Sequence, residues 1–316
     1  MNRPTGPTTL LDRQQKIGIT HELSKPKTRK AVLLAAAIFI AAIGVSAYFY
    51  LSRKNNAAIN SIAVLPLQNT SGDPSMEYLS DGIAESLMDS LSQLPNLKVM
   101  SRNTAFRYKG KEQDAEKIGK ELNVRAVLTG SLKQVGDQIV INVSLDDALD
   151  GRHIWGSQYD RKASDLLAVQ REIARDITGN LRLKLSGADE QKVTKNYTAN
   201  PEAYQLYLKG RFYWNKRTGE ALKKSIEYFN QAIEKDPSYA LAYAGLGDAY
   251  GILPGYGGDT PQQCFPKGKA AAKRAVELDE TLAEAHTALA RIILNYEWNI
   301  PESNGEFQRA IELNPN

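Results

Sequence analysis

One cysteine, Cys264, in a chain of 316 residues excludes an intramolecular disulfide framework and any multi-cysteine zinc site. The thiol reads as an incidental group in a loop. Histidine is nearly as scarce: His21, His153 and His286 are too scattered to suggest a shared metal, and the last two read as structural residues. No G-x-S-x-G and no Cys/His pairing supplies a nucleophile. Charge of one sign is lacking too. The 40 basic residues face 36 acidic ones, and the excess lies largely in the first 54 positions, which argues against nucleic acid as a partner. Two glycine motifs are near misses for nucleotide binding. GLGDAYG at 245–251 follows no strand, and GKELN at 119–123 lacks the Ser or Thr and the upstream glycine of a P-loop. These absences leave no expected catalytic residue, metal or cofactor.

What is present is ordinary globular composition, 42% hydrophobic and 24% charged, with length enough for two domains. It also includes one long apolar run. AVLLAAAIFIAAIGVSAYFYL spans 31–51 without a charge, about the ~20 residues that cross a bilayer as a helix. Arg13, Lys16, Lys25, Lys27, Arg29 and Lys30 precede it, and only Arg53 and Lys54 follow closely. This bias predicts a single span of the inner membrane, with the N-terminus cytoplasmic and the remainder periplasmic or extracellular. The small residues of Val45–Ala47 leave a cleaved signal peptide as the alternative. Residues 1–30, with Pro4, Pro7 and Pro26 and no apolar period, read as a disordered tail, and 52–59 as a linker.

A first folded domain is expected over 60–186. SIAVLPL at 61–67 suits a buried strand, and a helix follows with Leu79, Ile83, Leu87, Leu91 and Leu94 as its apolar stripe. Asp73, before Pro74, suits an N-cap. Acids recur on every fourth position, Asp73, Glu77, Asp81, Glu85 and Asp89. Two residues turn a helix by about 200°, so Asp81, Glu85 and Asp89, each two beyond a stripe residue, are expected on the solvent face. A strand at 97–101 and a helix at 112–122 come next. Gly136-Asp137 and Asp150-Gly151 then mark turns of a meander in which Ile139, Ile141, Val143 and Leu145 alternate toward the core. A helix over about 163–185 closes the order β-α-β-α-β-β-β-α, an α/β domain with a mixed sheet.

LQNTSGDPSMEYLSDGIAESL, AFRYKGK and GRHIWGSQYDR, in that order, resemble patterns of the TolB amino-terminal-like domain over roughly residues 60–185. The resemblance implies a non-catalytic bacterial domain between a membrane helix and tetratricopeptide repeats, as in membrane-bound regulators and in cyclase- or kinase-associated proteins. No such output domain is recognisable in this chain.

After a linker at 187–199, residues 200–316 follow a helix-turn-helix repeat of tetratricopeptide type, an all-α solenoid of about three units, the last without a capping helix. Gly210, Gly247 and Ala290 occupy equivalent small positions in the first helices, and Ala232, Ala275 and Ala310 in the second ones. The first set is spaced 37 and 43 residues apart, so loops are inserted, the longer at 254–266. The repeat resemblance places Tyr204, Tyr207, Arg211, Trp214, Asn215, Asp248, Thr287, Arg291 and Asn295 on a concave groove. Aromatic and arginine groups suit a protein or peptide ligand with acidic groups, with packing as the competing role. The expectation is a membrane-anchored, non-catalytic scaffold or sensor. The alternative is the sensory part of a transcriptional regulator, adenylate cyclase or serine/threonine kinase whose output domain is absent. Acid chemistry along the ladder is the third and weakest reading.

Overall fold

The computed structural model describes residues 33, 38–46, 59–181, 183 and 185–315. The chain divides into two units, 1–57 and 58–316. In the first, residues 38–46 are helical, with Ile38, Phe39, Ile40, Ile43 and Val45 exposed. The expected tail at 1–30 and most of the expected span at 31–51 lie outside the described residues. Among those described, no helix is long and apolar enough to cross a membrane.

The second unit begins with the apolar run read as a strand. It forms β1 (Ser61–Val64), with Ile62, Ala63 and Val64 fully buried. β2 (Gln68–Asn69), β3 (Lys98–Val99), β4 (Ala126–Val135), β5 (Gln138–Asp147) and β6 (Arg152–Lys162) complete a six-stranded sheet ordered β3-β1-β4-β5-β6, with β2 beside β4. β1 runs parallel to β3 and β4, whereas β4, β5 and β6 form an antiparallel meander. The sheet is therefore mixed, as the two turn signals required. Alternation in β5 holds: Ile139, Ile141, Val143 and Leu145 are buried on one face.

Helices cover the sheet. Asp73 caps a short 3-10 turn at Pro74–Met76, its carboxylate accepting from Ser75 N at 2.8 Å, and α1 (Glu77–Ser92) continues from it. α2 (Arg102–Ala105) and α3 (Ala115–Leu122) follow; α3 starts later than expected because Asp114 caps it through Lys117 N. α4 (Leu166–Asn180) is likewise shorter than the 163–185 expected. The presumed linker contains α5 (Gly187–Val193), opened by a Ser186–Asp189 capping box.

Six further helices make three consecutive pairs: α6 (Pro201–Asn215) with α7 (Gly219–Lys235), α8 (Ala240–Ile252) with α9 (Pro261–Leu278), and α10 (Ala283–Ile292) with α11 (Ile300–Leu313). Asn200 and Thr218 cap α6 and α7, with proline at the first turn of α6, α9 and α11. The small residues sit where helices cross. A Cβ on Gly210 would lie 2.5 Å from the Phe229 ring, closer than packed carbons approach. Ser225 donates to Gly210 O at 2.8 Å, and Ser303 to Ala290 O at 2.9 Å, so the first and third pairs share a crossing bond. The inserted loop is shorter than expected, since α9 already begins at Pro261. Cys264 accordingly lies buried in that helix and not in a loop.

One apolar core runs from Ile59 on the sheet side through α1 and α4 to Ala271 in α9. The sheet and the helical array are thus parts of one packed body, joined where α1 meets α6.

Candidate functional site

That joint overturns the expected placement of Asp81 and Glu85, whereas Asp89 is exposed as expected. The apolar stripe of α1 does face the sheet, with Ile83 and Leu87 fully buried. The opposite side, expected to be wet, packs on α6: a Cβ on Gly82 would lie 3.0 Å from Leu208 Cδ2, and Asp81 and Glu85 are each only 5% exposed. A helix between two partners needs two buried faces, and its second one is polar because the partner presents arginine.

Glu85 is the centre of the joint. Arg211 Nε donates to its Oε1 at 2.9 Å, and a second, shorter bond comes from Arg211 Nη2; Asn215 Nδ2 and Arg102 Nε donate to Oε2 at 2.9 and 3.1 Å. Burial opposes ionisation of this carboxyl. The guanidiniums of Arg211 and Arg102 overcome that and hold it below the usual carboxylate range. Lys109 Nζ bonds both oxygens of Asp81 at 2.7 Å and pairs with Glu77 at 2.6 Å. For Asp81, desolvation exceeds these attractions and its carboxyl is raised. Tyr204 donates to Ser86 Oγ at 3.1 Å, and Asn314 to Ser92 Oγ at 2.9 Å, so α1 is held along its length.

The nine residues assigned to a groove divide accordingly. Arg211 and Asn215 bind the chain's own Glu85. Tyr204 and Tyr207 are core residues, 4% and 6% exposed, with Tyr207 ring-packed against Phe229 and Tyr239 at 5.9 and 5.3 Å. Thr287 returns its hydroxyl to Ala283 O, and Arg291 pairs with Asp248 at 2.8 Å. Burial lifts the Asp248 carboxyl even so. Asn295 is exposed on the five-residue π-helical segment Ile293–Glu297, apart from the others.

A pocket of about 370 Å³ remains, lined by Arg211, Trp214, Asp248, Glu284 and Thr287 and walled by Phe307 and Ile311. The Trp214 ring is covered by two guanidiniums, Arg217 at 3.6 Å and Arg211 at 4.7 Å from its centroid. Its indole Nε1–H has no exposed surface and no partner, and neither has Glu284 Oε2. An orphaned donor and an orphaned acceptor in one pocket are costly unless something completes them. Sequence reasoning named Trp214 but missed Glu284, whose acidic side chain gave no signal within an ordinary helix first turn.

Of the three histidines, His21 lies outside the described residues. His286 is buried, with Nδ1 2.6 Å from Glu306 and Nε2 3.0 Å from Glu280 O, and exposed His153 contacts Asp146 at 3.0 Å. GLGDAYG lies within α8, without the strand a dinucleotide site needs. Among the described residues, no group of three or more His, Cys, Asp or Glu could hold a metal ion.

The fold therefore defines a mixed α/β sheet body fused to an array of helix pairs. No family model matches the chain. It is 35% identical over 232 residues to "Putative adenylate cyclase 3" of Rhizobium meliloti (strain 1021), a match over 73% of this chain and 39% of that protein. The chain thus spans well under half the length of that curated relative. Solved structures with partial likeness include TolB from Acinetobacter baumannii (TM-score 0.31, 18% identity, 40% of this chain and 30% of that one). Lipoprotein GNA1162 from Neisseria meningitidis has TM-score 0.29 and 19% identity over 40% of this chain and 99% of that one. The LpoB C-terminal domain from Salmonella enterica has TM-score 0.25 and 15% identity over 34% and 84%.

Proposed function

We propose that the chain is a non-catalytic protein-binding and sensory module, a TolB-like domain fused to tetratricopeptide repeats, in which the concave face of the repeats docks a polypeptide segment. The observation that carries this reading is the pocket of about 370 Å³, in which Arg211, Trp214, Asp248 and Thr287 meet the apolar walls Phe307 and Ile311. A peptide segment can lay an apolar side chain on those walls and turn its polar backbone to the charged rim. The Asp248–Arg291 pair then lies along the pocket as a charged edge that selects among segments. Docking outside the cytoplasm, from a single span at 31–51, belongs to the same proposal and rests on the charge asymmetry of its flanks.

Site-directed photo-crosslinking tests the docking. A benzophenone side chain at Thr287 is expected to capture one defined protein, with capture lost on Trp214→Ala. Capture no stronger than from exposed Lys224 on the opposite helices contradicts it. A periplasm-specific reporter fused after residue 56 tests the topology, and activity only of a cytoplasmic reporter refutes it.

The curated relative favours a more specific form, in which the module is the regulatory part of a cyclase-type signalling protein. Here the catalytic step belongs to a separate segment. The purified chain is then expected to make no cyclic AMP from ATP, and turnover by this chain alone refutes the non-catalytic reading.

A further inference from the structure

A second cavity shares Glu284 with the Trp214 pocket but is otherwise lined by different residues. This crevice of about 50 Å³ opens between α1, α4, the segment 192–198 and helices α6, α8 and α10. Its walls are aromatic: Tyr197, Tyr204, Tyr207 and Tyr239 all line it. Two carboxylates, Asp89 and Glu284, face the same space. Asp89 is exposed to solvent at the mouth, and Glu284 Oε2 is fully covered without a partner among the described residues. We propose that this crevice binds an organic cation, an alkylammonium head group held against the tyrosine faces and neutralised by Asp89 and Glu284.

The chemistry favours a cation over other occupants. Tyrosine faces attract positive charge through the ring quadrupole, an effect that grows when the cation is desolvated. A buried carboxylate without a counter-charge is what a cation neutralises, with or without an N–H to donate. Two carboxylates are too few for an all-protein metal site, which takes more oxygen ligands. The competing positive groups are accounted for. Lys195 Nζ is bound to Asp279 at 2.6 Å and Thr281 at 2.9 Å and lies 5.0 Å from the centre of the Tyr197 ring, which leaves Tyr204, Tyr207 and Tyr239 for a ligand, and Lys192 is exposed at the rim.

Proton occupancy of the empty site fits the same picture. Burial first, then the Glu85 and Glu284 carboxylates, raise the Asp89 carboxyl, against the pull of Arg211 and Arg102. Asp89 keeps an exposed surface at the mouth, which moderates the shift. Burial also raises Glu284, aided by Asp248 and Asp279 and opposed by Arg211. A cation stabilises only the ionised forms, so binding tightens as pH rises through these raised values.

Calorimetric titration of the full chain with tetramethylammonium, whose charge does not titrate, tests the proposal. Saturable binding is expected, tighter by about tenfold at pH 9 than at pH 6, with methylammonium also binding and neutral tert-butanol not. Glu284→Gln or Asp89→Asn should weaken it by about tenfold. Asp89 sits at the open mouth, so its variant stays informative if Glu284→Gln perturbs folding. No binding of either cation, equal binding of tert-butanol, or affinity unchanged in Asp89→Asn overturns the assignment. Asp89 does not line the Trp214 pocket, so loss of cation binding with intact crosslinking at Thr287, or the reverse, separates this proposal from the docking reading.

Discussion

Glu85 gathers four side-chain hydrogen bonds on one buried carboxylate. Its carboxylate is shared by Arg211, Asn215 and Arg102, which come from two helices far apart in sequence. Removing one partner of such a buried cluster leaves charge unpaired, so Glu85→Ala should cost about 3–5 kcal/mol in chemical denaturation. The sign with pH follows from its depressed folded value. Its contribution is fully present above the unfolded value of 4.5 and is lost as pH falls through the lower folded one. Asp81, raised by burial, works in the opposite sense, losing stability as pH rises above its unfolded value of 3.8. Denaturation series from pH 7 to pH 3 should therefore show an acid slope that Glu85→Gln flattens. Gly210 is the steric counterpart. Its absent Cβ would meet Phe229 at 2.5 Å, so Gly210→Ala should destabilise by about 1–3 kcal/mol despite alanine's better helix propensity.

At the scale of elements, local pattern was readable and second partners were not. The β5 alternation, the hairpin turns, the Asp73 cap and the small crossing residues all follow from neighbours in sequence, and each stands where the pattern put it. Asp81 and Glu85 of α1 do not, although Asp89 does. An offset of two residues from the stripe gives the direction opposite the sheet, and only the arrival of α6 makes that side interior. Composition of α6 held the missing clue, since Arg211 and Asn215 fall one turn apart, ready for one acid. Likewise Tyr204 and Tyr207 have the spacing of a ligand face, yet α1 and Tyr239 cover them. Prising α1 from α6 is the element-level test. Gly82→Leu, which drives a side chain into Leu208, should raise amide exchange of α6 at least tenfold while the β4–β5 ladder stays protected.

The whole second unit, 58–316, is a single packed body because one core crosses from sheet to helices. Denaturation followed by far-ultraviolet dichroism and by tryptophan fluorescence, with Trp155 in β6, Trp214 in α6 and Trp298 after the π-helical segment, should give coincident curves. Two separated transitions would mean independent domains. The helical array is therefore not a free peptide groove. One face of α6 is already covered by the acidic helix α1 of the same chain.

The claim on which these readings depend is that α1 is an internal ligand of the helical array, fixed by Glu85. A double-mutant cycle between Glu85→Gln and Arg211→Met in the full chain measures it directly. The account predicts a coupling energy of about 1.5–3 kcal/mol at neutral pH, falling as Glu85 protonates in acid. Additive effects within about 0.3 kcal/mol would contradict it.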